Sequence, residues 1–187
     1  IEGDFGAALK VDAWIHGGEG TAQEAASRIG FRIYRTREME AILEWMRAYN
    51  ETAPQGEDLH FYGMDMQWAD GSKEYLSHTL GEVLPDVWAE YEESLAFLND
   101  GDMYDIPADA FEQAMTPTQE LIEEVDRARE LMEAEFGEEV FALARECACS
   151  LHNCCDIRKS DAQYNQVRDG HMAEKVKWFL EHGDGSL

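Results

Sequence analysis

Thr36 to Gln67, TREMEAILEWMRAYNETAPQGEDLHFYGMDMQ, carries a capped helix, a polar loop and a short apolar run that ends on an acid. Thr36 is a good N-cap, and Glu38 and Glu40 fall in the first turn, where the helix dipole favours anions. Met39, Ile42, Leu43, Met46 and Tyr49 recur at helical spacing and predict a buried stripe. Ala53-Pro54-Gln55-Gly56 is a turn signal, after which Leu59, Phe61, Tyr62, Met64 and Met66 predict a strand of the buried type. Helix-to-strand units of this kind build open α/β sheets whose ligands sit beyond the carboxyl ends of the strands, so the unit places Asp65 where chemistry tends to occur.

The start of the chain matches this pattern. It opens at Ile1-Glu2-Gly3-Asp4 without Met and passes straight into an apolar helical run, as though a strand had been cut just before its functional end. The expectation is an interior piece of a larger protein: one incomplete α/β domain over residues 1–187, dominantly helical, with helices around the remnant of a small, mainly parallel sheet. Strands are expected near 1–2 and 59–66, a sheet-associated part over 1–68 and a helical part over 69–187.

Outward from there the elements read as helices. Residues 5–16 (FGAALKVDAWIH) form one that Gly17-Gly18 stops, with His16 as its C-terminal cap. Thr21 caps a short helix ending at Gly30. Ser72–Leu84 and Pro85–Leu98 predict two more, with Pro85 near the start of the second. Asn99-Asp100-Gly101-Asp102 lacks the spacing and the terminal Glu of a calcium loop. Thr118–Leu151 reads as a long or once-broken helix with Gly137 as the break. Its inward face is Leu121, Ile122, Val125, Leu131, Met132, Val140, Phe141, Ala144, Cys147, Ala148 and Leu151. Asp169 is a possible cap for a last helix that buries Met172, Val176, Phe179 and Leu180 and stops at Gly183.

With 187 residues, 44% of them hydrophobic, and five Trp, seven Tyr and eight Phe, the chain has the material for one sizeable core. Forty Asp and Glu oppose 15 Lys and Arg, a net charge of −25, with the acids spread over helix faces and not gathered in a tail. Such self-repulsion is tolerable where salt screens it, and a salt-adapted source is the leading explanation. The same charge repels phosphate backbones and anionic lipid, which excludes nucleic acid and membrane surfaces as expected partners. No run approaches the roughly 20 apolar residues of a bilayer span. Cys147, Cys149, Cys154 and Cys155 are too close along one helix to pair easily, and small apolar residues in a reducing cytoplasm describe them better than a zinc site with His152. A cytoplasmic protein with no metal and no cofactor is expected.

Among the familiar catalytic signatures, GxSxG, HExxH, the Walker loop and GxGxxG are absent. The carboxylates at the two strand ends remain, Glu2 with Asp4 close behind it, and Asp65. On neighbouring strands they would converge and could shift each other's proton affinity, as a general base for water requires. Asp65 has a competing role as a turn cap. Glu2 reads as functional because a carboxylate ending an apolar strand is costly to bury alone. Arg35 points an ionic fork into the same pocket or pairs with a nearby acid, and Arg168 and Asp169 have helix bracing and capping as their alternative. His60 reads as solvent-facing, and His171 is the best candidate imidazole, with a surface position as its alternative.

Four segments, IEGDFGAALKVDAWIHGGEG, the RTREM helix with LEWMRAYN, FYGMDMQ, and YNQVRDGHMAEKVKWFL, together resemble the erythromycin esterase family. The resemblance covers about residues 1–68 and 160–182. It implies a metal-independent hydrolase that opens a macrolide lactone or another ester with water activated by histidine and glutamate, acting on a small molecule and contributing to macrolide resistance. It implies Glu2 as the acid ending the second core strand, and supporting roles for Arg35, Asp65, Arg168 and Asp169. His171 falls on a variable position. The family's Gly-Glu-x-x-His and His-Asn-x-His segments have no counterpart in these residues, so the chain by itself is expected to lack the base. The rival reading is a non-catalytic acidic helical module that binds a cation or a protein partner.

Overall fold

The computed structural model describes residues 1–159 and 161–182. Ten helices make up the regular structure among them: α1 Phe5–Ile15, α2 Ala22–Arg28, α3 Arg37–Asn50, α4 Asp70–His78, α5 Leu80–Val83, α6 Pro85–Ser94, α7 Ala108–Arg127, α8 Arg129–Phe136, α9 Glu138–Arg158 and α10 Tyr164–His182. The expected sheet is not formed. Ile1–Asp4 and Tyr62–Asp65 do run side by side in parallel, joined by Met64 N–H to Ile1 O (3.0 Å), Asp65 N–H to Gly3 O (2.9 Å) and Phe5 N–H to Asp65 O (2.9 Å). This pairing amounts to one isolated bridge, Asp4 with Asp65.

The reason lies in what meets the backbone of residues 59–61. Asn50 of α3 accepts from Leu59 N–H at 2.7 Å and donates to Leu59 O at 2.9 Å, and Asp12 of α1 accepts from Phe61 N–H at 2.6 Å. Helix side chains thus occupy the groups a second neighbouring strand would use, and a lone pair of four-residue segments is too short to count as a sheet. Gly63 permits the close approach of the two segments, because a Cβ there would lie 2.3 Å from Gly3 O and 2.4 Å from Asp4 O.

From this pairing α1 turns back along the 59–65 segment. Asp4 caps it, accepting from Ala7 N–H at 3.0 Å, and His16 closes it. Phe5 and Leu9 enter a large core with α4 to α10, while Ala8, Val11, Trp14 and Ile15 enter a second core with α2, α3 and Phe61. Buried on both sides, α1 is the common wall of the two cores. It crosses α4 almost backbone to backbone, since a Cβ on Gly6 would meet Ser72 N at 2.2 Å and one on Gly71 would meet Ala7 N at 2.5 Å.

Thr21 and Glu24 form a full capping box, Thr36 accepts from Met39 N–H at 3.2 Å, and Gly137 (φ +91°) breaks the chain between α8 and α9. Other expectations need correction. On α3 only Leu43 is buried, while Ile42 is 50% exposed and Tyr49 is also open. α7 begins ten residues before Thr118 and carries Pro117 inside it, and Leu131 faces outward. Asp169 caps nothing, because α10 starts at Tyr164. On α10 Lys175 and Phe179 are buried and Leu180 is exposed. Gly183 lies outside the described residues.

The cysteines are free thiols, three of them fully buried. Burial pushes Cys149 up to about 11 and Cys154 up to about 12, as befits small core residues. Among the described residues no helix is long and apolar enough to cross a membrane.

Candidate active site

Arg168, on the second turn of α10, reaches the paired segments 103 positions back in the chain. Its Nε donates to Asp65 Oδ1 at 3.0 Å and its Nη2 to Asp65 Oδ2 at 2.8 Å, the two-pronged match of a planar guanidinium to a carboxylate. The same Nη2 donates to Glu2 Oε1 at 2.6 Å. Glu2 and Asp65 therefore do converge, through one shared cation. Hydrogen bonding to Asp65 first, and to Glu2 after it, raises the proton affinity of Arg168 against its burial and keeps it charged.

The two acids stand in opposite surroundings. Asp65 is fully buried and saturated, since it also accepts from Met66 N–H at 2.9 Å and Gln67 Nε2 at 2.6 Å. Gln67 is in turn held by the Tyr164 hydroxyl at 2.7 Å, and its carbonyl by Arg158 at 2.8 Å. Glu2 has a side chain 56% exposed, anchored at one oxygen and open elsewhere. The expectation that Glu2 ends a buried strand is corrected here: the buried acids are Asp4 and Asp65. Chemically, Asp65 is an orienting anion for the guanidinium, and Glu2 is the carboxylate that can meet water or a substrate.

Asp4 is completely buried beneath this pair. Besides Ala7 N–H it accepts from Trp68 N–H at 3.2 Å. Burial pushes its pKa up to about 7, opposed by those two hydrogen bonds and reinforced by the charges of Asp100 and Asp65. Tyr34 donates its hydroxyl to Glu2 O at 3.0 Å, which fixes the backbone that carries the exposed carboxylate.

The remaining expected residues stand apart. Arg35 is exposed and makes no side-chain hydrogen bond or ion pair among the described residues. Asp169 is likewise exposed, on the outer face of α10. His171 pairs with Asp156 of α9 at 2.7 Å, beside an open concavity of about 360 Å³ that also involves Lys175 and Trp178. No histidine contacts Glu2, Asp65 or Arg168 by hydrogen bond among the described residues. Sequence reasoning missed Gln67, Tyr164, Arg158 and Tyr34. Gln67 was visible as the neighbour two positions beyond Asp65, whereas Tyr164 and Arg158 reach it only through contacts more than 90 residues apart. It also missed a group formed by Asp12, His16 and His60 at the far end of α1, whose donor atoms lie within 4.8 Å of one another.

Residues 1–186 match the family described as erythromycin esterase. Two solved structures share the fold. A succinoglycan biosynthesis protein superposes with a TM-score of 0.78 at 19% identity, over 98% of this chain and 45% of its own. A protein from Bacillus cereus gives 0.78 at 18% identity, over 97% and 45%. The chain thus spans just under half the length of these structures. No curated protein matches it significantly. With a match across essentially its whole length, the chain belongs to the erythromycin esterase family.

Proposed function

We propose that the chain supplies the carboxylate side of a hydrolytic site that cleaves an ester or a lactone of a small molecule. Family membership supports a hydrolase, and the observation that carries the mechanism is the grip of Arg168 on both Glu2 and Asp65. In this reading Asp65, locked by four donated hydrogen bonds, holds the guanidinium in one orientation, and the guanidinium holds one oxygen of Glu2. The other oxygen of Glu2 then accepts a proton from an attacking water, or from a histidine that the resemblance assigns to water activation. Arg168 keeps Glu2 in register with Asp65 and leaves positive charge beside the oxygen that becomes anionic as the ester carbonyl is attacked. Tyr34 holds the backbone of Glu2. A macrolide ring is one candidate substrate, and a cytoplasmic, salt-adapted setting fits the composition.

The test is turnover of lactones and simple aryl esters by the intact protein and by Glu2→Gln and Glu2→Asp variants. Removal of a general base costs on the order of 10²–10⁴ in rate. Glu2→Gln is expected to lose activity on that scale while keeping its fold, and Glu2→Asp to keep a part. Undiminished turnover by Glu2→Gln would remove this residue from the mechanism.

A further inference from the structure

At the opposite end of α1 from the Arg168 network, two imidazoles are packed between two carboxylates. Asp12 and His16 are one helical turn apart on the same face, the i, i+4 spacing that lets two ligands share an ion. His60 comes from the extended segment. Asp12 Oδ2 lies 3.5 Å from His16 Nδ1, which bonds the Asp12 backbone oxygen at 2.8 Å and would exchange that bond for an ion, and 3.3 Å from His60 Nδ1. The edge of a tetrahedron with metal–ligand bonds of about 2.0–2.1 Å is roughly 3.3–3.4 Å. Two of the three donor separations are therefore those of adjacent ligands on one small ion, and all the donor atoms lie within 4.8 Å of one another.

The outer surroundings complete the pattern. Asp58 Oδ2 lies 3.1 Å from His16 Nε2 and 3.4 Å from His60 Nε2, so a single carboxylate faces the far nitrogen of both rings. A carboxylate behind each ligating imidazole fixes the ring and raises its basicity. Asp12 Oδ1 is already occupied by Phe61 N–H, which leaves Oδ2 aimed at the rings. The ring centroids are 4.9 Å apart, and the side chains of Asp12, His16 and His60 are between 17% and 36% exposed, which leaves a route for an ion and for a water as further ligand. The group stands apart from the concavity beside His171 and from the Arg168 network.

We propose that Asp12, His16 and His60 form a binding site for a divalent transition-metal ion of the zinc class, with Asp58 as the outer partner that orients both rings. Two imidazoles with one carboxylate suit zinc, cobalt, nickel or iron(II), whereas calcium and magnesium demand oxygen donors throughout. The ion ties the last turn of α1 to the segment that leads to Asp65. It is a clamp on structure, independent of the hydrolytic reading.

The intact protein, stripped with a chelator, is titrated calorimetrically with zinc in molar salt, which screens diffuse attraction to the acidic surface. One zinc per chain is expected, with a rise in Tm on binding. His16→Ala and His60→Ala should each weaken binding at least tenfold, and Asp58→Asn should weaken it about tenfold. Zinc should also protect His16 and His60 of the unaltered protein from acylation by diethyl pyrocarbonate, a measurement that does not depend on any variant folding. The cobalt form should show visible bands of nitrogen and oxygen ligation. Absence of saturable zinc uptake, equal competition by magnesium, a thiolate charge-transfer band, or unchanged affinity in both histidine variants would each overturn the site.

Discussion

Arg168 holds a buried acid with a single side chain. It is the one cation against Asp65, which is wholly buried, and taking one member from a buried pair costs about 3–5 kcal/mol. Arg168→Gln should lower the unfolding free energy by that order, read as a fall in the urea midpoint at unchanged m-value. Arg168→Lys should recover only a part, because an ammonium cannot grip both oxygens. The pair Asp65→Asn with Arg168→Gln should cost less than the two single changes added together. Asp4 gives a second prediction, of pH dependence. Its folded pKa of about 7 lies above the ordinary 3.8, so the folded state favours the protonated acid. Stability from this residue is full below pH 4 and declines as pH rises through 7, by an amount bounded at roughly 4 kcal/mol. Asp4→Asn, which keeps a capping oxygen, should therefore gain Tm relative to the parent as pH goes from 5 to 8. A constant difference would count against it. At this scale Glu2 and Asp65 were legible as carboxylates at the ends of two expected strands, and Arg168 through the family resemblance. Asp4 was legible as a neighbour but not as a buried acid, since burial is settled by Trp68, Asp100 and Gly30 from elsewhere in the chain.

Caps and stops were the most readable features of the elements, because they depend on bonds within four residues. Thr21, Thr36, His16 and Gly137 all act locally and all sit where the sequence predicts. The apolar run 59–66 misled for a physical reason: its periodicity reports burial, and extended chain buried between helices gives the same pattern as a strand between strands. α10 misled because Lys175 takes an inward position, where it pairs with Glu146, bonds Ser150 at 2.9 Å and lies 4.2 Å from the centroid of Phe5. A cation in the seam hides the stripe from any reading by hydrophobicity. The crossing of α1 and α4 gives the prediction at this scale. Gly71→Ala brings a methyl carbon within 2.5 Å of a backbone nitrogen, and neither helix can give way without disturbing a core. A loss of about 1–3 kcal/mol, or more, is expected in chemical denaturation. Gly170→Ala, with open space around it, is the control that should change little.

For the molecule as a whole, charge decides the response to salt. A net −25 is spread over an outer shell of helices, while the Arg168–Asp65 pair is shielded from solvent. Raising the ionic strength from 0.1 to 1 M shortens the screening length from about 10 to about 3 Å, which relieves repulsion among surface acids and touches the buried pair little. Tm should climb with sodium chloride by on the order of 5 °C. A flat or falling curve would show that the acids are neutralised in another way. The family was legible because four motifs stand in register. The absence of a sheet was not, because it depends on Asn50 and Asp12 meeting a backbone 9 and 49 positions away.

α1 and the segment beside it work as two rails laid in opposite directions. One end of the pair holds Asp4 and Asp65, and the other holds His16 and His60, about 18 Å away along the helix. Side chains on an extended rail alternate faces, so one residue added or removed between Phe61 and Asp65 cannot keep both Asp65 against Arg168 and His60 against Asp12. Insertion or deletion there sets the two ends against each other, whereas the loop at 52–57, upstream of both, can change length without dislocating either.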